Sequence, residues 1–160
     1  MPNVNESTKF SHFSNVAVGT ASGGGSLKVA GKTQTLGTVE SVTAGDTLVE
    51  ADNGKNILLG DAASGDITLP AVTNTGFRVR VTCNFAITTS SAVISAEGDN
   101  ISGVLVVNGA TVLAEAEDQI NFILNLAEIG DYVDFLSDGT SWICNGIGGA
   151  AGSITATDPA

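Results

Sequence analysis

The stretch "FRVRVTCNF", residues 77–85, constrains the fold more than any other segment of the chain. Apolar side chains occupy every second position from Phe77 to Phe85, and polar or charged side chains occupy the positions between them. Successive side chains of a β-strand point to opposite faces of its sheet, so this pattern predicts a strand with one buried and one exposed face. The chain is therefore expected to be built on β-sheet.

Other segments predict further strands. "TLVEADNGKNILL" predicts two strands joined by a tight turn at Asn53 and Gly54, and "DITLPA" predicts a short strand that ends at Pro70. "SAVISAEGDNISGVLVVNG" predicts two more strands, "EDQINFILN" one, and "GDYVDFLSDGTSWICNG" a hairpin around Ser137, Asp138 and Gly139. Turn residues recur about every 8 to 12 positions, and no amphipathic helix of about ten residues is visible. The sequence therefore predicts an all-β chain, a compact antiparallel β-barrel or sandwich.

The composition divides the chain into three parts. Residues 1–34 contain the run "GGG" and are predicted to form an extended N-terminal arm. Residues 35–148 carry the strand pattern of the β-domain, and residues 149–160 form a Gly/Ala-rich tail. One β-like segment in the tail, residues 153–157, is expected either to add a strand to a neighbour or to lie on the surface.

The arm contains a small cluster of aromatic and basic side chains. Two interpretations stay open: the cluster anchors the arm on another protein, or the arm folds back onto its own domain. The residues are Lys9, Phe10, His12 and Phe13.

The charge distribution argues against several classes of partner. The net charge is −11, all six basic residues lie before position 81, and ten acidic residues follow it. Such a surface repels phosphate backbones and anionic membranes, so nucleic-acid and membrane binding are not expected. Because the start of the chain lacks a basic region followed by an apolar run, we expect synthesis in a cytoplasm without a signal peptide.

The residues offer little for catalysis. His12, the only histidine, lies in the predicted arm, whereas a catalytic base needs a rigid support. "AGKT" lacks the glycine that a phosphate-binding loop needs at the position of Ser26. Glu115 with Glu117, if they share a strand face, and Asp131 with Asp134 are the carboxylate pairs that a glycosidase could use, but a solvated face explains them better. No catalytic, cofactor-binding or metal-binding residue is predicted.

The two cysteines, Cys83 and Cys144, are too few for a disulfide scaffold and form no CxxC pattern. They are predicted to be buried as small hydrophobic side chains, and a disulfide between them is neither required nor excluded.

Four residues of the β-domain are candidates for a subunit interface. Arg78 and Arg80 lie side by side on the polar face of the predicted strand, where they either pair with acids of a neighbouring strand or meet carboxylates of another subunit. Tyr132 and Trp142, the only residues of their types, are expected to seal either one end of the β-domain or a seam between subunits.

The order of several segments, from about Gly45 to Thr155, resembles the capsid decoration (cement) proteins of tailed bacteriophages. The resemblance rests on "TLPA", "GD.I.G" and "SDGT.W" in that order, together with "GFRVRV" and the Gly-rich run into "GSITAT". It implies a compact, β-tulip-like domain, a homotrimer, and a position on the outer surface of the phage head. There the protein would bridge major capsid protein subunits and stabilise the shell against the pressure of packaged DNA, with the N-terminal arm making the contact. No cofactor is implied.

Two other functions remain as alternatives. One is a head-fibre, tail-fibre or tail-spike module that binds a host receptor, although no long repeat or coiled-coil stalk is visible. The other is a small carbohydrate-active β-enzyme, which the scarcity of aromatic residues, 5% of the chain, disfavours.

Overall fold

The computed structural model describes residues 26–29, 32–35, 39–42, 45–60, 65–98 and 100–159. The chain divides into two compact units, Met1–Leu36 and Gly37–Ala160. In the first unit, strands β1 (Ser26–Val29) and β2 (Lys32–Thr35) pair antiparallel.

The second unit is a sandwich of two sheets around one apolar core. The seven-stranded sheet has, in spatial order, β10 (Ala110–Glu117), β9 (Ile101–Val107), β13 (Trp142–Gly148), β12 (Tyr132–Ser137), β7 (Arg78–Cys83), β5 (Asn56–Leu59) and β3 (Val39–Val42). The five-stranded sheet has β14 (Ile154–Thr157), β11 (Gln119–Phe122), β8 (Ser91–Ile94), β6 (Ile67–Thr68) and β4 (Asp46–Thr47). A 3-10 helix, Glu50–Asp52, lies between β4 and β5. The prediction of an all-β chain is confirmed.

The expectation that the sheets are antiparallel is wrong for about half of the strand pairs. Strands β3, β5 and β7 run parallel to one another, as do β4, β6 and β8, and β13 runs parallel to β9. From β3 to β8 the chain alternates between the two sheets, one strand in each. Each strand therefore returns to its sheet in the direction of the previous one, which makes both sheets mixed.

The turn at Asn53 and Gly54 is present but does not close the predicted hairpin. Strand β4 before it belongs to the five-stranded sheet, whereas β5 after it belongs to the seven-stranded sheet. The 3-10 helix makes this crossing, and the carboxylate of Asp52 accepts the N–H of Val49 at 2.7 Å. Gly54 takes the left-handed backbone conformation, φ +84°, that the turn requires.

The hairpin of β12 and β13 forms as predicted, with a loop at residues 138–141. The Asp138 carboxylate accepts the backbone N–H groups of Thr140 and Ser141 at 2.8 and 2.7 Å. Because these bonds favour the ionised form, the pKa of Asp138 is lowered from its usual value. The tail segment joins the sheet of its own chain, since β14 pairs with β11, so it neither extends a neighbour nor lies loose.

Candidate interaction surface

The outer face of the seven-stranded sheet, defined as the side chains that point away from the core, is rich in exposed apolar side chains. In β9 and β13, residues that face the core alternate with outward-facing residues, and all of the outward-facing residues except Ser102 and Asn145 are apolar. Six large apolar side chains on this face are between 40% and 55% exposed: Val104, Val106, Leu113, Leu136, Ile143 and Ile147. Exposed apolar side chains gathered on one face mark a surface that binds another molecule.

The strand register arranges these side chains in rows across the five strands β10, β9, β13, β12 and β7. Residues that are directly opposite in neighbouring strands lie on the same face, so the register of the paired strands fixes each row. The first row is Glu115, Ser102, Ile143, Leu136 and Arg78; the second is Leu113, Val104, Asn145, Asp134 and Arg80; the third is Thr111, Val106, Ile147, Tyr132 and Thr82.

Glu115 belongs to the first row because it follows Ala114, the partner of Gly103, and therefore lies beside Ser102. A bulge follows at Ala116, whose N–H donates to Ser102 Oγ at 3.0 Å and whose φ is +64°. This bulge places Glu117 opposite the fully buried Ile101, on the inner side of the sheet. The expectation that Glu115 and Glu117 share a strand face is therefore wrong.

Arg80 has its charge partner within the chain. Its Nε and Nη2 atoms donate to the two carboxylate oxygens of Asp134 at 2.7 and 2.6 Å, and its guanidinium lies 4.1 Å from the centre of the Tyr132 ring. The hydrogen bonds to Asp134 raise the pKa of Arg80. Of the two interpretations left open, Arg80 fits pairing with an acid of the neighbouring strand.

Arg78 differs from Arg80. Its side chain is exposed, and it forms no ion pair with any residue that the structure describes. Glu115, at the opposite end of the same row, is likewise exposed and without an ion pair within the described ranges. The first row thus ends in one free cation and one free anion.

Trp142 lies in the core and not on a surface. It is fully buried, and its ring meets Phe77 edge-on at 5.9 Å between centroids and an interplanar angle of 89°. The sequence left two roles open for Trp142, sealing one end of the β-domain or a seam between subunits, and this buried position fits the first of them. Tyr132 is half-buried on the outer face beneath Arg80.

The remaining carboxylates of the carbohydrate-enzyme alternative hold loops together. The buried Asp131 accepts the N–H groups of Glu128 and Gly149 at 3.1 and 2.8 Å. Asp134 is only three positions after Asp131, but its carboxylate binds Arg80 on the outer face and so does not act together with the buried Asp131. No group of three or more His, Cys, Asp or Glu residues in the described part of the chain is arranged to hold a metal ion.

Both cysteines are buried, as predicted. No disulfide joins them, which settles a point that the sequence left open. Burial raises the pKa of Cys83 to about 12 and that of Cys144 to about 11, with nearby carboxylates adding to the effect.

The arm residues Lys9, Phe10, His12 and Phe13 lie outside the described residues. Within the described ranges, no helix is both long and apolar enough to cross a bilayer. In comparisons with known proteins, no family model matches the chain, and a search of curated proteins finds no match.

The apolar outer face was not predicted from the sequence, although two strands carry a signal for it. The run "GVLVV" in β9 is apolar at consecutive positions, and "WICNGI" in β13 carries Ile143 and Ile147 between buried residues. A strand that is apolar on both sides is typical of a sheet covered on both faces.

Proposed function

We propose that this chain is a capsid decoration protein of a tailed bacteriophage. It binds the outer surface of the head, bridges neighbouring major capsid protein subunits and stabilises the shell against the pressure of the packaged DNA. The observation that carries this proposal is the apolar outer face of the seven-stranded sheet, because exposed apolar side chains gathered on one face favour a role in binding other protein molecules, as in an assembly.

The positions of the resembling segments support the proposal. In "TLPA", Leu69 and Pro70 are buried next to β6. In "SDGT.W", Ser137 Oγ donates to the carbonyl of Val72, and Trp142 packs against Phe77. The segments that resemble decoration proteins are therefore residues that build the sandwich, as expected when a shared fold presents a binding surface.

The charge of the two units supports separate roles for arm and body. Residues 1–36 carry a net charge of +2, and residues 37–160 carry −13. An acidic body is repelled by packaged DNA and suits a position outside the shell. The proposed shell contact is the arm, with Lys9, Phe10, His12 and Phe13, and the proposed assembly is a trimer at three-fold or quasi-three-fold positions of the head.

The test is binding of the full chain to phage heads assembled without their decoration protein. We expect the chain to co-sediment with these heads and to protect them from disruption by a chelator or by heat. Deletion of residues 1–20, or the double substitution Phe10→Ser with Phe13→Ser, should abolish binding while circular dichroism still shows a folded β-domain.

The matched control is Phe85→Ser, which removes an exposed phenylalanine of the body, 43% accessible, and should leave binding unchanged. Failure of the full chain to bind any head contradicts the proposal. Retained binding after the deletion refutes the arm as the contact and moves it to the β-domain. Binding to host cells in place of heads would support the receptor-binding fibre module.

A further inference from the structure

We propose that the outer face of the seven-stranded sheet pairs with the same face of a second copy of this chain, across a two-fold axis that runs along β13. This inference rests on the proposed function only in treating the outer face as a protein-binding surface. It requires neither the shell nor the arm.

The charge distribution favours contact through the outer face. The body carries −13, so two copies repel each other through most of their surfaces. The outer face is the exception, because Arg80 is neutralised by Asp134, and Arg78 is balanced by Glu115 on the same row. A second copy can approach this face without the like-charge repulsion that it meets elsewhere.

Two-fold symmetry determines which residues of the two copies meet. When two copies pack face to face, their two-fold axis lies in the plane of the interface. An axis parallel to the strands lays each row of side chains over the same row of the partner, in reverse order. Strand β13 is the middle strand of the five from β10 to β7, so an axis along it superimposes the two ends of each row.

This operation gives complementary contacts in the first row. The free cation Arg78 of one copy lies over the free anion Glu115 of the other, and the same pair forms a second time by symmetry. Ile143 in the first row and Ile147 in the third, 44% and 49% exposed, lie on the axis and face their own counterparts. Leu136 faces the small side chain of Ser102. In the second row Asn145 lies on the axis, and the Arg80–Asp134 ion pair faces Leu113 and Val104 of the other copy. The first and third rows place apolar side chains at the centre and charged or polar ones at the ends, which is the usual arrangement of a protein interface.

The size of the contact fits a weak, concentration-dependent interface. An axis along β13 overlays the five strands from β10 to β7 and leaves β5 and β3 outside the overlap, so about 4.8 Å per strand and about six residues of about 3.3 Å give a contact of roughly 24 by 20 Å. That is about 480 Å² per partner in projection, within the range of weak, transient interfaces. Two sheets stacked in this way also bury the apolar residues of β9 on both sides, as the sequence of that strand predicts. A two-fold contact of this kind uses a surface of its own and is compatible with a separate three-fold contact.

The experiment is sedimentation equilibrium of the full chain from submicromolar to high micromolar concentration, with charge-exchange variants. We expect concentration-dependent pairing of copies. Arg78→Glu and Glu115→Arg should each weaken the pairing about tenfold or more, because each places like charges opposite one another twice. The double variant Arg78→Glu with Glu115→Arg should restore it. Both side chains are exposed, so none of these variants removes a core contact.

An apolar variant and its control complete the test. Ile143→Lys should abolish the pairing, whereas Ile129→Lys, at a loop isoleucine that is 71% exposed, should leave it intact. A monomer at every concentration overturns the inference, and so does self-association that Ile143→Lys leaves unchanged. Pairing that appears only after residues 1–34 are removed overturns it as well, since the arm would then cover the face. Head binding is measured separately, so loss of pairing with retained head binding refutes this inference alone.

Discussion

Phe77 and Phe85 belong to the same alternating sequence pattern, and substitutions at these two positions give a sharp test of the fold. Phe77 and Phe85 occupy equivalent positions in the sequence pattern, yet Phe77 is 1% exposed and Phe85 is 43% exposed. Phe77 also meets Trp142 edge-on, an arrangement worth about 0.5–1.5 kcal/mol beyond its buried area. Truncation of a fully buried phenylalanine to alanine lowers the free energy of unfolding by about 3–5 kcal/mol. The half-exposed Phe85 has only about 1 kcal/mol to lose.

Urea unfolding, followed by the fluorescence of Trp142 and by far-ultraviolet circular dichroism, measures both variants. With a urea dependence of about 2 kcal/mol per molar, Phe77→Ala should lower the midpoint by about 1.5–2.5 M and Phe85→Ala by about 0.5 M. The chain has one tryptophan, so the fluorescence reports the environment of Trp142 alone. If Phe77→Ala is unfolded without urea, Phe77→Leu should still lower the midpoint more than Phe85→Leu does. Equal midpoints for the two positions would refute the placement of Phe77 against Trp142.

Three further substitutions test particular positions of the seven-stranded sheet. Gly103→Ala should cost about 2 kcal/mol or more in thermal melts, because a Cβ there would lie 1.8 Å from the carbonyl oxygen of Cys144 on the neighbouring strand; an unchanged melting temperature contradicts this packing. Ala116→Gly should raise the free energy of unfolding by up to about 1 kcal/mol in urea titrations, because Ala116 holds a left-handed φ of +64°; a loss of stability would argue against the bulge. Burial raises the pKa of the Cys83 thiol from 9.0 to about 12, so its contribution to the free energy of unfolding is complete below pH 9.0 and declines as the pH rises toward 12. Between pH 8 and pH 10 the urea midpoint should therefore fall less for Cys83→Ala than for the unchanged chain. Identical falls in the two proteins would show that this thiol is not buried.

The strands could be predicted from sequence because each one carries its own period-two pattern. Strands β7, β8, β9, β11 and β12 lie where alternating or apolar runs predicted them. Their pairing could not be predicted, since it depends on which sheet each strand joins. The turn at Asn53 and Gly54 has the residues of a hairpin turn, but its flanking strands diverge into different sheets. Parallel pairing follows from that long-range alternation, and no local pattern records it.

Local departures from regular strand geometry account for the other differences. The alternation of "FRVRVTCNF" ends at Cys83, where the backbone bonds to Gly130 and Asp131 and β7 stops, so Phe85 falls outside the sheet. The bulge at Ala116 moves Glu117 to the inner side. The partner of Arg80 could not be predicted from the sequence either. The chain has many more acidic than basic residues, and only the register of β7 with β12 places Asp134 beside Arg80.

The outer face connects the sequence pattern to the proposed pairing. In β9 the residues Ile101, Leu105 and Val107 face the core, and Val104 and Val106 between them face outward, so this strand is apolar on both sides. An ordinary solvated strand would place polar residues at the outward positions, as β7 does with Arg78 and Arg80. The five-stranded sheet covers one side of β9, and no described element of the chain covers the other. A second layer packed on this side would bury these valines. The free Arg78 and Glu115 at the two ends of one row indicate that another copy of the same face is the layer that fits.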